Sequence, residues 1–370
     1  MGAEEYFTFG ASKDLPVHRW FYYKEGYAPQ IAWHFIDEFR ADSVFDPFVG
    51  VGTTLLASKE RGIRSIGIDV SPLAVFVSRV KCADYSLQDI EDAKAALRSA
   101  FQERKEPSFA WDFELFSPRK FFSRRAYNDI CHLRERAEEI ENEKAGALFL
   151  LALLSILPQV GFFIKDGGVL REEKSKRAMP VKDAFRRKMK QIISDLESSP
   201  IVGPAPEVRL ADARDFSEGE ADAFITSPPY LNNIDYSKVY GLELSLLEMD
   251  KDAGRRMRER AVRSFITKEP HGKEVPPEAA DAAARLPLAG EYFADMERVL
   301  QNLYKISKRG GVFVVGNAMV HEQHIAVDEI LMKIAERVGF RCSTPFYAER
   351  TADVKPAKAR VRESAVVFRK

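Results

Sequence analysis

The sequence predicts an α/β fold, a Rossmann-like doubly wound sheet with a helical insertion, and three observations predict it. In SVFDPFVGVGTTLLASKERG (43–62) a short apolar run enters a glycine-rich turn and leaves as a helix. SIGID follows at once, a β-branched run ending in an acid, which completes a βαβ unit. After Pro200 the alternation returns, with strand patterns in EVRLAD, ADAFITS and GVFVVGN separated by helical periodicity.

The chain divides in three on this reading. Residues 1–84 hold a mixed lead-in, the helix APQIAWHFIDEFR and the βαβ unit. Residues 85–200 are long, charged and helix-patterned, and are expected to form the insertion. Residues 201–370 complete the sheet, with FRCSTPFYAER and RESAVVFRK as closing strands joined by a basic linker. NIDYSKVYGLELSLLEM reads as helical, and KEPHGKEVPPEAADAAARL as a loop or weak helix.

The 370 residues carry no formal net charge, so any surface for a polyanion must be local. Cys82, Cys131 and Cys342 are scattered, which suggests neither a disulfide framework nor a metal site. The start MGAEEY lacks the apolar core of a secretory leader, and a cytoplasmic protein is expected. The apolar stretch from Ala147 is interrupted by Ser155, Pro158 and Gln159, so it is expected to be a buried core helix with no membrane partner.

The chemistry gathers at strand ends. Gly50 and Gly52 allow a tight turn whose N–H groups can approach a ligand, although the third glycine of a dinucleotide fingerprint is missing. Asp46 ends the first strand, Asp69 the second and Asp212 a third. An acid at the second strand's tip can accept hydrogen bonds from ribose hydroxyls, and one at the third from an adenine amino group. Any one of them is as easily a cap or turn residue; together they read as a site for an adenosine-bearing cofactor.

TSPPY (226–230) ends the next strand. A nucleobase amino group is a poor nucleophile, because its lone pair is delocalised into the ring. The Ser227 hydroxyl and a backbone carbonyl of the proline pair, Pro228 first, are acceptors that would turn that lone pair toward a sulfonium methyl. Pro228 and Pro229 stiffen the loop, and Tyr230 offers a ring on which an extruded base stacks. Methylation of pyrimidine carbon-5 needs a thiolate, usually in a Pro-Cys setting, and no cysteine here has one.

With these residues the chain resembles the S-adenosylmethionine-dependent amino-methyltransferases of nucleic acids, the cytosine-N4 and adenine-N6 class. DPFVGVGTT is similar to their cofactor loop and SPPY to their catalytic loop, in the form usually seen with cytosine; adenine enzymes more often carry an acid in place of Ser227. The resemblance covers about 250 residues. It implies S-adenosylmethionine as cofactor, bound by Asp46, Phe48, Gly50, Gly52, Thr53, Asp69 and Asp212. HRWFYYKEGYAPQ resembles the segment that packs over the methionine end, through Tyr27 and Pro29. Family members act on DNA or on RNA. The compact, only locally basic insertion favours structured RNA, whose cytosines are already unstacked, over DNA, the alternative. Asn232, Arg171, Lys174, Arg177, Arg186, Arg187, Lys355 and Lys358 are candidate substrate contacts, with ordinary surface charge as the competing explanation. Lys176 and Arg360 belong to the same basic stretches.

Overall fold

The computed structural model describes residues 6–102, 106–166, 168–232, 234–265, 272–320, 323–353 and 358–370. In chain order the elements begin with α1 (Pro29–Phe39), β1 (Ser43–Asp46), α2 (Thr53–Glu60), β2 (Arg64–Asp69) and α3 (Pro72–Cys82). Then come α4 (Leu87–Ser99), α5 (Arg124–Glu138), α6 (Glu143–Val160), β3 (Phe163–Asp166), β4 (Val169–Glu172) and α7 (Val181–Ser198). The chain returns through β5 (Glu207–Leu210), β6 (Ala223–Thr226), α8 (Tyr236–Val239), α9 (Gly241–Glu248), α10 (Ala253–Arg260), α11 (Ala280–Arg285) and α12 (Pro287–Ile306). It closes with β7 (Gly310–Gly316), β8 (Ala318–Val320), β9 (Gln323–Ile325), α13 (Val327–Val338), β10 (Arg341–Asp353) and β11 (Lys358–Arg369).

The central sheet has the order β10-β11-β7-β6-β1-β2-β5. β5, β2, β1, β6 and β7 pair in parallel, and β11 is antiparallel to both its neighbours. This is the doubly wound sheet that the sequence predicts. The chain first builds outward through β2 and β5, then crosses to the other side of β1 for β6. The crevice at the carboxyl ends of β1 and β6 is therefore the topological switch point, where such sheets bind ligands.

Residues 87–198 are mainly helical, as expected, with one departure: the basic stretch after α6 forms the β3–β4 hairpin. α6 is a core helix, with Leu148, Leu151, Leu153, Leu154, Ile156 and Leu157 fully buried. One hydrophobic cluster runs unbroken from Leu55, Leu56 and Val77 beside the sheet to Phe149, Phe185 and Met189 of these helices. A second cluster on the opposite side joins Phe224, Phe313 and Phe368 to Tyr292, Phe293 and Leu331. The closing strands are longer than predicted. Much of the basic linker between them is strand, with Thr351 opposite Arg360 and Asp353 opposite Lys358.

Candidate active site

At the switch point lies a cleft with about 850 Å³ of empty space, including the part open to solvent. Its wall contains Phe48, Gly50, Asp69, Asp212 and all of Ser227, Pro228, Pro229 and Tyr230. Two motifs, the glycine turn at Gly50 and the loop at Ser227, far apart in sequence, thus face one space.

The glycine turn is held from behind. Gly50 has φ +50° and Gly52 φ +78°, values that side-chain-bearing residues rarely adopt. A Cβ on Gly52 would also lie 3.0 Å from the Ser78 hydroxyl oxygen. Ser78 Oγ donates to the Gly50 carbonyl at 2.9 Å, and the buried Lys81 ammonium donates to the Val51 carbonyl at 2.8 Å. Asp69 accepts from the Gly50 N–H at 3.0 Å and the Ser71 N–H at 2.9 Å. Burial pushes its carboxyl up to about 6 in spite of those N–H groups.

Asp46 does not line the cleft. It is 2% exposed and accepts from the Thr226 hydroxyl at 2.6 Å and the Phe48 N–H at 3.1 Å. It therefore ties the end of β6, just before Ser227, to the glycine turn, and burial raises it to about 6 as well. Gly52 and Thr53 stand behind the wall at the start of α2. Tyr27 is buried too, its hydroxyl bonded to that of Thr54, which donates to the Ile225 carbonyl at 3.1 Å. Pro29 is buried as the first residue of α1. Direct cofactor contact was expected of these five residues; none lies in the cleft wall, and the structure gives them supporting positions.

Ser227 is half-buried, and its hydroxyl has no hydrogen-bond partner among the described residues. The Tyr230 ring packs over Gly316 at the end of β7, where a Cβ would come within 3.0 Å of it. No cysteine lines the cleft. Cys82 and Cys131 are buried, and burial pushes both thiols up to about 12.

No protein-family model matches the chain. It is 24% identical to the type II methyltransferase M.BsoBI of Geobacillus stearothermophilus, over 90% of this chain and 80% of that one. To the type II methyltransferase M.AvaI of a Nostoc species it is 25% identical, over 90% and 81%. A 77-residue stretch is 39% identical to the type II methyltransferase M.MjaII of Methanocaldococcus jannaschii, covering 20% of this chain and 14% of that one. Among solved structures, a SAM-dependent methyltransferase from Methanosarcina mazei aligns with a TM-score of 0.30 and 8% identity, over 88% of this chain and 91% of that one. The rRNA methyltransferase aviRa from Streptomyces viridochromogenes aligns with a TM-score of 0.30 and 12% identity, over 98% and 96%. Along nine-tenths of its length, then, this chain is similar to type II methyltransferases. The expectation of RNA as substrate finds no support in these curated relatives.

Several cleft residues are not evident from sequence. The amino-terminal segment does reach the site, but through Tyr23 and Glu25 instead of Tyr27 and Pro29. Tyr23 stacks on Tyr240 with ring centroids 4.6 Å apart, and the Tyr240 hydroxyl donates to Glu25 at 2.6 Å. Tyr236 lines the cleft, while Tyr240 is buried behind it. Met257, Arg258, Arg260 and Val262 cover the cleft from α10 and the residues after it.

None of the described candidates for substrate contact is in the cleft wall. Asn232 is outside the cleft wall, its side-chain oxygen accepting from the Ile234 N–H at 3.3 Å. Arg171 and Lys174 are exposed on and just after β4, 3.7 and 3.6 Å from Glu173 and Glu172. Arg177 is exposed a few residues further on. Arg186 sits over the Phe101 ring, and Arg187 donates to Gln159 at 2.6 Å, both on the exposed side of α7. Lys176 is spent on the chain itself, donating to the Phe163 carbonyl at 2.8 Å. Lys355 lies outside the described residues, and Lys358 is placed only as the first residue of β11.

Proposed function

We propose that this protein is an S-adenosylmethionine-dependent DNA methyltransferase that methylates the 4-amino group of cytosine. The observation that carries the reading is the shared cleft: the Ser227–Tyr230 turn faces the same space as Gly50 and Asp69. Similarity to type II methyltransferases over nine-tenths of the chain supports DNA as the substrate, the alternative that ranks second on sequence alone.

The residues present suit the cofactor. Asp69 stands at a strand end with its carboxylate in the cleft wall, as hydrogen bonding to ribose hydroxyls requires. When bound, S-adenosylmethionine supplies an electrophilic methyl group. Ser227 and the carbonyl of Pro228 accept the two N–H bonds of the target amine and so direct its lone pair. The two prolines hold that geometry, and Tyr230 stacks on the extruded base. With S-adenosylmethionine held beside Asp69 and Gly50, the amine so directed would be placed to take the methyl group from sulfur, and its proton would be lost to solvent. No protein nucleophile is required, in keeping with a cleft without cysteine.

The test is nucleoside mass spectrometry after incubating the protein and labelled cofactor with genomic DNA and, in parallel, total RNA. N4-methylcytosine in DNA is the expected product. N6-methyladenine would overturn the assigned base, and label confined to RNA would overturn the assigned polymer.

A further inference from the structure

Five of the eight residues of α10, AGRRMRER, are charged, and it buries only Ala253 and Gly254. Apolar packing alone would seat such a helix poorly, yet it and the residues after it form the roof of the cleft. The anchor comes from below. In the turn after β5, Arg214 Nε donates to Asp212 at 3.0 Å and one terminal nitrogen donates to the same carboxylate at 2.6 Å. That nitrogen also reaches the Arg260 carbonyl at 2.9 Å. The other terminal nitrogen is 3.2 Å from both oxygens of Asp295, which is fully buried on α12. Asp295 in turn accepts from the Arg263 N–H at 3.1 Å and pairs with Lys273. The stretch from Arg260 to Arg263 is thus fixed at both ends to one node.

We infer that Arg214 is the positioning residue for the roof of the cofactor cleft, and that Asp212 serves as its counter-ion instead of accepting a hydrogen bond from the ligand's adenine. The inference rests on the reading of the cleft as an S-adenosylmethionine site. It departs from the role expected of Asp212: each of its oxygens takes two contacts from Arg214, one oxygen from the backbone N–H and Nε, the other from Nε and a terminal nitrogen. Every nitrogen of the Arg214 guanidinium is engaged. Lysine, with a single ammonium, cannot span two carboxylates and a carbonyl in that plane.

The test combines S-adenosylhomocysteine binding kinetics with amide hydrogen exchange in the wild type, Arg214→Lys and Asp212→Asn. In Arg214→Lys, ligand release is expected to quicken roughly tenfold with association little changed, the effect of losing a buried partner. Exchange at residues 260–264 should accelerate while the sheet keeps its wild-type protection. Asp212→Asn should shift both readouts in the same direction. Unchanged exchange at 260–264 in Arg214→Lys overturns the inference. So does an Asp212→Asn protein that loses ligand affinity with that exchange unaltered, since this marks direct binding of the ligand by Asp212. Should Arg214→Lys fail to fold, Asp212→Asn decides: faster exchange at 260–264 together with faster ligand release supports the node, and wild-type exchange there overturns it. If the wild type binds no ligand, the cofactor reading falls while the exchange measurements still judge Arg214.

Discussion

At the scale of single residues, the proposed function assigns the cofactor to Asp69 and the base to Tyr230. Asp69 titrates near 6 because it is buried, and only its ionised form offers all its lone pairs to ribose hydroxyls. Cofactor affinity should therefore hold above that pH and fall as the pH drops from 7 to 5. Calorimetry on Asp69→Asn should show weaker binding with most of this dependence gone; the remainder belongs to Asp46, which titrates in the same range. Tyr230→Ala should cost about 1–3 kcal/mol of base stacking, read as weaker binding of the nucleic acid, while cofactor affinity stays at the wild-type level. Asp69 and Ser227–Tyr230 were legible because their chemistry is local: an acid at a strand tip and a proline-stiffened turn need no distant partner to be read. Glu25 was not legible. Which residue of its segment faces the cleft depends on Tyr23 stacking against Tyr240, more than 200 positions away. Asp212 is legible as a strand-end acid, but not its pairing with the arginine two residues on.

Among the elements, the β3–β4 hairpin and α9 share a buried ion pair. Lys165 lies 2.7 Å from Glu243 Oε1 and 3.6 Å from the centre of the Tyr240 ring, and Glu243 is 1% exposed with its second oxygen unpartnered among the described residues. Lys165→Met leaves that carboxylate alone in the interior. Chemical denaturation should show a loss of about 3–5 kcal/mol, and Lys165→Met/Glu243→Met should recover most of it. A single variant as stable as the wild type would show that the pair is idle. The sequence did not set this hairpin apart from the helix-patterned insertion, because two four-residue strands are too short to reveal alternation. It did not mark α10 at all, since a helix held by ion pairs carries no apolar stripe. The sheet was plain by contrast: β6 and β7 are buried along their whole length and read as uninterrupted apolar runs.

For the whole molecule, zero net charge means that nucleic-acid affinity has to come from local cations. The exposed group Arg171, Lys174 and Arg177 lies on and just beyond β4, which packs against α8 of the cleft wall. Replacing all three with alanine should weaken binding to all DNA sequences alike and lower the salt slope by about 0.9 for each phosphate left unneutralised. Cofactor binding should not change. Fluorescence anisotropy across a salt series measures this, and an unchanged slope would make the group ordinary surface charge. The central claim concerns how the two halves of the site meet, and a crystal structure with S-adenosylhomocysteine tests it most directly. The account predicts the ribose against Asp69 and the sulfur turned toward Ser227. A ligand seated instead on the far side of α10, in the hollow between Pro72, Leu210 and Arg256, would contradict it.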